Sequence, residues 1–329
     1  MSTGSPVAPS AAASAPVSTP SAAPAEPTAL SGATLALGTI ALSLATFMNV
    51  LDTSIANVSI PAIAGDLGVS PDQGTWVITS FGVANAISLP LTGWLTQRYG
   101  QVRLFIVSVL LFVLASLLCA LAPTLGVLIA FRVLQGAVAG PMIPLSQSLL
   151  LSSYPKAKAG SALAIWGVTT LVAPVVGPLL GGWITDNIAW PWIFYINVPV
   201  GLAAAAVTWT IYRTRETATR KVPIDGIGLG LLVLWVGALQ IMLDKGKDLD
   251  WFGSIEIVSL AVAALVGFAL FIVWELTEAH PVVDLRLFAR RNFWTTHLTV
   301  RQVVLPVRRV WLQADLQLVF PCHGWLLRG

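Results

Sequence analysis

Charged residues, cysteines and histidines are scarce in this chain of 329 residues. Aspartate, glutamate, lysine and arginine make up 10% of it, whereas a typical soluble domain has about 25%. Two cysteines, Cys119 and Cys322, provide neither a disulfide framework nor a metal site. The histidines His280, His297 and His323 lack the neighbouring nucleophile or carboxylate of a catalytic site. Since no Walker-type phosphate loop is present either, nothing indicates an enzyme or an ATP-driven protein.

Most of the chain consists of long apolar runs. Hydrophobic residues make up 56% of the chain and the mean hydropathy is +0.81. A run of about 18 apolar residues is long enough to cross the hydrocarbon core of a bilayer. The sequence therefore predicts an all-α polytopic membrane protein, with eight spanning helices near residues 33–60, 75–96, 102–122, 124–151, 160–185, 192–212, 226–243 and 253–275.

Basic residues alternate between the connections of these helices. The even-numbered connections carry eleven of them, namely Arg98, Arg103, Lys156, Lys158, Arg213, Arg215, Arg220, Lys221, Arg286, Arg290 and Arg291. The opposite connections carry only Lys245 and Lys247. Because cytoplasmic loops are enriched in lysine and arginine, we expect the basic connections and the N-terminus to lie in the cytoplasm. This alternation of basic residues is typical of the loops of a membrane protein and does not indicate nucleic-acid binding.

Composition divides the chain into six segments. Residues 1–32 are rich in alanine, proline and serine and predict a disordered cytoplasmic tail without the basic region of a signal peptide. Residues 33–212 predict a six-helix bundle, 213–225 a charged cytoplasmic linker, 226–275 an additional helix pair and 276–298 a cytoplasmic connector. Charges interrupt every apolar run in residues 299–329. That segment is either a cytoplasmic tail or, as we favour, the product of a frameshift or truncation that replaces further helices.

Asp52 and Arg132 are the two charges that lie well inside the predicted spans. An ionised side chain at this depth costs about 2.5 to 3.5 kcal/mol and persists mainly where it faces a partner or a wet cavity. At about 100° per residue, Asp52 shares a polar stripe with Asn49, Ala56 and Ser59. Burial disfavours its charged form and suits a carboxylate that takes up and releases protons. The alternative is an aspartate that Arg132 or backbone donors hold ionised for structure alone.

Arg132 shares a face of the fourth helix with Gln135, Ala139 and Ser146, although Pro141 and Pro144 should bend the lower half of that helix. At about 1.5 Å per residue, Arg132 and Asp52 both lie roughly 12 to 14 Å below the outer ends of their helices. We therefore expect them to line the same cavity. The alternative is that Arg132 extends to the outer surface.

Two glycine-containing segments stand out elsewhere. On the fifth helix, residues at helical spacing are expected to form a close-packing, kinked face: Gly167, Pro174, Gly177, Pro178 and Gly181, followed by Gly182. Between the second and third helices, Gly93 and Gly100 should permit tight turning, while Arg98 and Arg103 can bind helix-end carbonyls or the lipid surface. The alternative for this loop is ordinary positive-inside anchoring.

These segments together resemble the major facilitator superfamily, specifically its fourteen-helix drug:proton antiporters of the EmrB/QacA type, over roughly residues 34–293. The motifs that carry the resemblance are Leu51–Pro61, Phe131–Pro141, Ala173–Trp183, Trp190–Gly201 and Ile241–Trp251. The resemblance departs at Gln97, where the superfamily has an acidic residue that forms a gating salt bridge. It also implies six further helices, which residues 299–329 do not supply.

The resemblance implies proton-coupled export of lipophilic toxic compounds across a bacterial inner membrane, driven by the proton gradient without a cofactor. It further implies a periplasmic adaptor and an outer-membrane channel as partners. Asp52 and Arg132 would couple protons to transport. Substrate would contact the cavity faces of the first, second, fourth and fifth helices, at Asn49, Asn85, Ser88, Gln135 and Trp166. The alternatives are a non-transporting truncated membrane component, or an exporter of a metabolite or siderophore-like compound.

Overall fold

The computed structural model describes residues 29–221, 223–278, 281–283 and 285. Over these residues the chain is helical, and no strand occurs among them. The helices are α1 (Gly32–Asp66), α2 (Pro71–Gly74), α3 (Trp76–Tyr99), α4 (Gln101–Ala120), α5 (Leu125–Ala139), α6 (Met142–Ser153), α7 (Ala159–Asn187), α8 (Trp192–Tyr195), α9 (Asn197–Tyr212), α10 (Gly226–Lys245) and α11 (Ile255–Thr277). The predicted segment 299–329, nearly all of the tail 1–32 and most of the connector 276–298 lie outside the described residues.

Eight helical stretches are long and apolar enough to cross a membrane, which confirms the predicted all-α polytopic architecture. They are Gly32–Asp66, Pro71–Tyr99, Gln101–Ala120, Leu125–Ser153, Lys156–Asn187, Trp192–Tyr212, Gly226–Lys245 and Ile255–Thr277. Side chains that accept hydrogen bonds from the first free backbone N–H groups fix several helix starts. Thr124 does so for α5, Asp225 for α10 and Ser254 for α11.

The fourth span is broken where the prolines predict a bend. Helix α5 ends at Ala139 and α6 begins at Met142, with Gly140 and Pro141 between them. Pro141 has no N–H to donate to the preceding turn, so the α5 ladder stops there. Pro144 lies in the first turn of α6, where a missing N–H leaves no hydrogen bond unmade.

The first six spans pack against one another in a bundle. Helix α1 packs against α7 and α9, while α5 packs against α3 and α4. The helix pair formed by α10 and α11 is attached to this bundle through α3. Lys245, at the end of α10, donates from Nζ to Oγ1 of Thr75 at 2.7 Å and to the carbonyl of Asp72 at 3.3 Å, and lies 5.3 Å from the Trp76 ring. These contacts hold one end of the pair against the start of α3.

Two apolar clusters fill the bundle, one above the other. Leu42 and Met48 of α1 belong to the first cluster, and Leu51 and Ile55 belong to the second. On α5, Leu128 lies in the second cluster and Ala139 in the first. Asp52 lies next to Leu51 at the edge of the second cluster, and Arg132 lies between Leu128 and Ala139 on α5. The fold therefore encloses both charges near the boundary of the two apolar clusters.

Candidate functional site

Asp52 and Arg132 form a direct ion pair near this boundary. Nη1 of Arg132 lies 2.6 Å from Oδ2 of Asp52, and the side chains are 0% and 1% exposed respectively. Helices α1 and α5 bring these residues together although 80 positions separate them in the chain. The complete burial of Arg132 excludes the alternative in which it extends to the membrane surface.

The guanidinium of Arg132 makes further contacts around this pair. Nε donates to the carbonyl of Val77 at 3.0 Å, and Nη1 also donates to Oε1 of Gln135 at 2.7 Å. The Phe81 ring lies 4.2 Å from the guanidinium carbon and the Phe194 ring 5.7 Å from it. A cation over an aromatic face is stabilised by the ring quadrupole, and more so when water is excluded. Nη2 alone has no hydrogen-bond partner within the described residues.

The second carboxylate oxygen of Asp52 accepts two amide hydrogen bonds. Gln135 donates from Nε2 at 3.2 Å and Asn197 from Nδ2 at 2.7 Å. The Asn197 amide also donates to Oγ of Ser116 at 2.9 Å, and that hydroxyl donates to the Phe194 carbonyl at 2.9 Å. Asn197 and Ser116 were not among the site residues predicted from the sequence. One feature could have indicated Asn197, namely that it is the single amide side chain in the apolar run Trp190–Gly201.

These contacts correct the expectation that Asp52 and Arg132 line a cavity. Asp52 is 2% exposed, Arg132 and Gln135 are 0% exposed, and the residues around them are packed. The energy of a buried pair depends on complete pairing, since removal of one partner typically costs about 3 to 5 kcal/mol. The contact with Arg132 is the one expected if Asp52 is held ionised for structure alone. The same contact joins α1 to α5, so a proton on Asp52 would remove the negative charge of the ion pair between these two helices.

Asn49 and Trp166 lie in a second group of polar contacts on the same side of α1. Asn49 donates from Nδ2 to the Ala139 carbonyl at 3.3 Å. Trp166 donates from Nε1 to the hydroxyls of Thr46 at 3.3 Å and Ser146 at 3.2 Å. Both predicted substrate residues are buried, with exposures of 3% and 8%. In this structure they join helices to one another and do not face an open cavity.

Ser88 borders a cavity of about 500 Å³ between α3, α5 and α10. Its hydroxyl donates to the carbonyls of Asn85 at 3.1 Å and Gly136 at 3.4 Å. The remaining lining is almost entirely apolar, with Ile129 and Val133 from α5 and Ile241 from α10. Asn85 is half-buried and does not line this cavity. Of the five predicted substrate residues, Ser88 is the one on the wall of this cavity.

Only part of the predicted glycine and proline face of α7 is buried. Gly177 and Gly181 are buried against α1, where a Cβ would meet Cβ of Ser54 at 2.6 Å and the Ile55 carbonyl oxygen at 3.1 Å respectively. Pro174 and Pro178 are exposed, and a Cβ on Gly167 or Gly182 would meet no heavy atom within 4 Å. Only the two buried glycines therefore produce the close approach, and α7 continues through both prolines.

The loop predicted between Gly93 and Arg103 is almost wholly helical. Gly93 lies inside α3, so its predicted turning role is wrong. Gly100 alone separates α3 from α4, with a φ of 88° that favours glycine. The Arg98 guanidinium lies 5.4 Å from the Trp94 ring centroid.

The linker after α9 caps the first turn of α4. Glu216 accepts from the backbone N–H of Val102 at 3.0 Å and of Arg103 at 2.9 Å, and Oγ1 of Thr217 accepts from Gln101 at 3.0 Å. A carboxylate is favoured at a helix N-terminus, where free N–H groups point outward. Its side chain fills the space where a Cβ on Gly100 would lie. Glu216 lies 114 positions after Val102 in the chain, and the sequence alone did not predict this contact.

Comparison with known proteins supports the interpretation of these motifs. The chain is 62% identical over 262 residues to the multidrug export protein EmrB of Haemophilus influenzae, an alignment that covers 80% of this chain and 51% of that protein. It is 61% identical over 262 residues to EmrB of Escherichia coli, with 80% and 51% covered. It is 58% identical over 262 residues to the fatty acid resistance protein FarB of Neisseria gonorrhoeae, with 80% and 52% covered. The chain spans about half the length of these curated relatives.

Solved structures share the fold at lower identity. The crystal structure of the POT family transporter PepTSo superimposes with a TM-score of 0.51 at 16% identity, covering 72% of this chain and 52% of that one. A POT peptide transporter in complex with sulfate gives a TM-score of 0.53 at 15% identity, covering 73% and 51%. The family model described as Major Facilitator Superfamily matches residues 42–301. This chain is a multi-pass membrane protein that belongs to the Major Facilitator Superfamily.

Proposed function

We propose that this chain contributes to proton-coupled export of lipophilic toxic compounds across a bacterial inner membrane, with its N-terminus in the cytoplasm. The observation that carries the proposal is the buried pair of Asp52 and Arg132, which joins α1 to α5 at 2.6 Å. A buried ion pair contributes little net stability, because the desolvation of its two charges offsets most of their mutual attraction. A carboxylate retained at such a cost is a functional candidate in a membrane protein.

The coupling step follows from the contacts of Asp52. When Oδ2 gains a proton, the attraction to Arg132 is lost and a buried cation remains, which favours a different packing of α1 and α5. Release of the proton restores the ion pair and the original packing. The cycle needs only an ion gradient as its energy source and no cofactor.

The cargo proposal rests on the cavity between α3, α5 and α10. Its volume of about 500 Å³ lies in the range of small-molecule sites, and its almost wholly apolar wall suits a lipophilic compound. The relatives named multidrug export proteins support the same class of cargo. A periplasmic adaptor and an outer-membrane channel are proposed as partners from the resemblance alone.

The second candidate is a membrane component that does not transport. The chain spans about half the length of its EmrB relatives, so the export activity of a whole relative is only a proposal for this chain. Transporters of this type alternate access by movement of one half against the other. A third candidate, export of a metabolite or siderophore-like compound, differs only in cargo and calls for a panel of compounds.

Dye efflux from a pump-deficient strain tests these candidates. We expect the expressed 329 residues to export a lipophilic dye in an uncoupler-sensitive manner, and Asp52→Asn to abolish this export. Asp186→Asn, at an exposed carboxylate near the end of α7, is the matched control. Uncoupler-sensitive efflux by well-inserted Asp52→Asn protein would refute the coupling role. Absence of efflux from well-inserted wild-type protein would favour the non-transporting candidate.

A further inference from the structure

Glu275 is a buried carboxylate near the end of the helix pair. It lies two residues before the end of α11, and its residue exposure is 0%. Oε2 accepts a hydrogen bond from the Val283 backbone N–H at 3.1 Å. Oε1 has no hydrogen-bond partner anywhere in the described residues. Buried polar atoms are nearly always paired, so an unpaired carboxylate oxygen calls for a ligand.

Asp225 lies across the helix pair from Glu275 and accepts three hydrogen bonds. As the N-cap of α10, it accepts at Oδ1 from the backbone N–H of Ile227 at 3.1 Å and of Gly228 at 2.9 Å. Oδ2 accepts from Nε1 of Trp274 at 2.9 Å, which ties α10 to α11. Three N–H donors at a helix N-terminus stabilise a negative charge on this group.

The two carboxylates converge on Gly228. A Cβ at this glycine would lie 3.0 Å from Oε1 of Glu275, and nearer still to Oδ2 of Asp225. The charged groups that act on Glu275 from the described residues are Asp225 and Glu278, and both are acidic. No described basic side chain forms an ion pair with Glu275. Two ionised carboxylates that both approach this glycine, with no cation between them among the described residues, repel each other.

We propose that Asp225 and Glu275 form a proton-binding site in which the two carboxyl groups hold one proton. Glu275 carries the proton on Oε1 and donates it to Oδ2 of Asp225, which has a free lone pair beside its bond from Trp274. Binding converts the Glu275 carboxylate into a carboxylic acid, and release reverses this. The site lies in the helix pair and is separate from the Asp52 pair, so it stands whether or not the proposed export occurs.

The site also links protonation to the packing of the helix pair. With one proton bound, the hydrogen bond between the two carboxyl groups holds α10 and α11 together beside Gly228. Proton release would place two like charges there and push these helix ends apart. Stability from a group that binds its proton more tightly in the folded chain is present at low pH and lost as pH rises.

Infrared spectroscopy of the full chain in lipid tests the site. At neutral pH we expect the C=O stretch of a buried carboxylic acid in wild type, and we expect Glu275→Gln to lose this band. Glu256→Gln should retain it, because Glu256 is an exposed carboxylate near the other end of α11. An unchanged band in well-folded Glu275→Gln would overturn the proposal, because Glu275 would then be ionised.

Thermal unfolding against pH provides the second readout. The midpoint should fall at alkaline pH in wild type and stay constant in Glu275→Gln, whose amide imitates the protonated acid. A larger alkaline fall in Glu275→Gln, or a wild-type midpoint that responds to sodium or potassium instead of pH, would contradict it.

Discussion

Asn197 at the start of α9 donates a hydrogen bond of 2.7 Å to Oδ1 of Asp52, 145 positions earlier in the chain. The same amide nitrogen donates to Ser116 of α4, so one side chain joins three helices. Arg132 satisfies one oxygen of Asp52 and the two amides satisfy the other. The ion pair is therefore part of a wider network that joins α1, α3, α4, α5 and α9.

Asn197→Ala should destabilise the protein although it removes no charge. The substitution deletes a donor to a buried carboxylate and leaves the Ser116 hydroxyl without that partner, at a cost of about 1 to 3 kcal/mol. The thermal unfolding midpoint in detergent measures this loss. Asn187→Ala is the matched control, because Asn187 is exposed and its side chain donates to the Trp183 carbonyl of its own helix. Equal midpoints for the two variants would contradict the importance of the network.

Single substitutions of the ion pair should cost more than the double substitution. Asp52→Leu leaves a buried guanidinium without its counter-charge, and Arg132→Met leaves a buried carboxylate, each at about 3 to 5 kcal/mol. In the Asp52→Leu/Arg132→Met double variant no charge is left unpaired, so its loss should be much smaller than the sum. Denaturation of all four proteins under the same conditions completes this double-mutant cycle. Additive losses would show that the two residues do not interact energetically.

Gly177→Ala should weaken the contact between α7 and α1. Its new Cβ would lie 2.6 Å from Cβ of Ser54, and overpacking of this kind costs about 1 to 3 kcal/mol. Gly182→Ala, five positions later, meets no heavy atom within 4 Å and should stabilise the helix by up to about 1 kcal/mol. Opposite shifts of the two unfolding midpoints are the expected result. A loss of stability in both variants would indicate that the glycines act through helix flexibility and not through packing.

Glu216→Ala should release the linker from the start of α4. Two charge-assisted hydrogen bonds to the backbone of Val102 and Arg103 are lost, at about 1 kcal/mol for a half-buried group. Limited trypsin digestion of membrane vesicles reports on this release, because Arg213, Arg220 and Lys221 are exposed cleavage points within the linker. Cleavage should be several-fold faster than in wild type. Thr214→Ala, at an exposed position of the same linker, should leave the rate unchanged, and a matching increase there would refute the specific role of Glu216.

The number and type of spans could be predicted because the bilayer sets a minimum apolar length that leaves a clear trace in sequence. The same reasoning identified Asp52 and Arg132. A charged residue inside an apolar run is easily recognised in the sequence, and its insertion cost implies that it has a partner or a function. Helical phase also placed Asn49, Asp52 and Ser59 on one face, and all three are buried. These are local properties of single helices.

Contacts between helices could not be predicted in the same way. The rotation of each helix decides that Arg132 touches Asp52 directly and that no cavity lies between them. Packing also decides that Pro174 is exposed while Gly177 is buried, although both belong to one motif. In the sequence, nothing distinguishes Glu216 from the other charges of the linker, and its role depends on the linker folding back onto α4. Likewise, nothing marks Glu275 at the end of the predicted helix pair, and its role depends on the position of Asp225.

The sequence by itself therefore determined the membrane class, the eight spans and the two costly charges, because each depends on the free energy of moving one segment from water into lipid. Only the tertiary structure decided which side chains complete the site, since Asn197, Ser116 and Glu216 act on residues more than 75 positions away and no periodicity within one helix encodes such distant contacts.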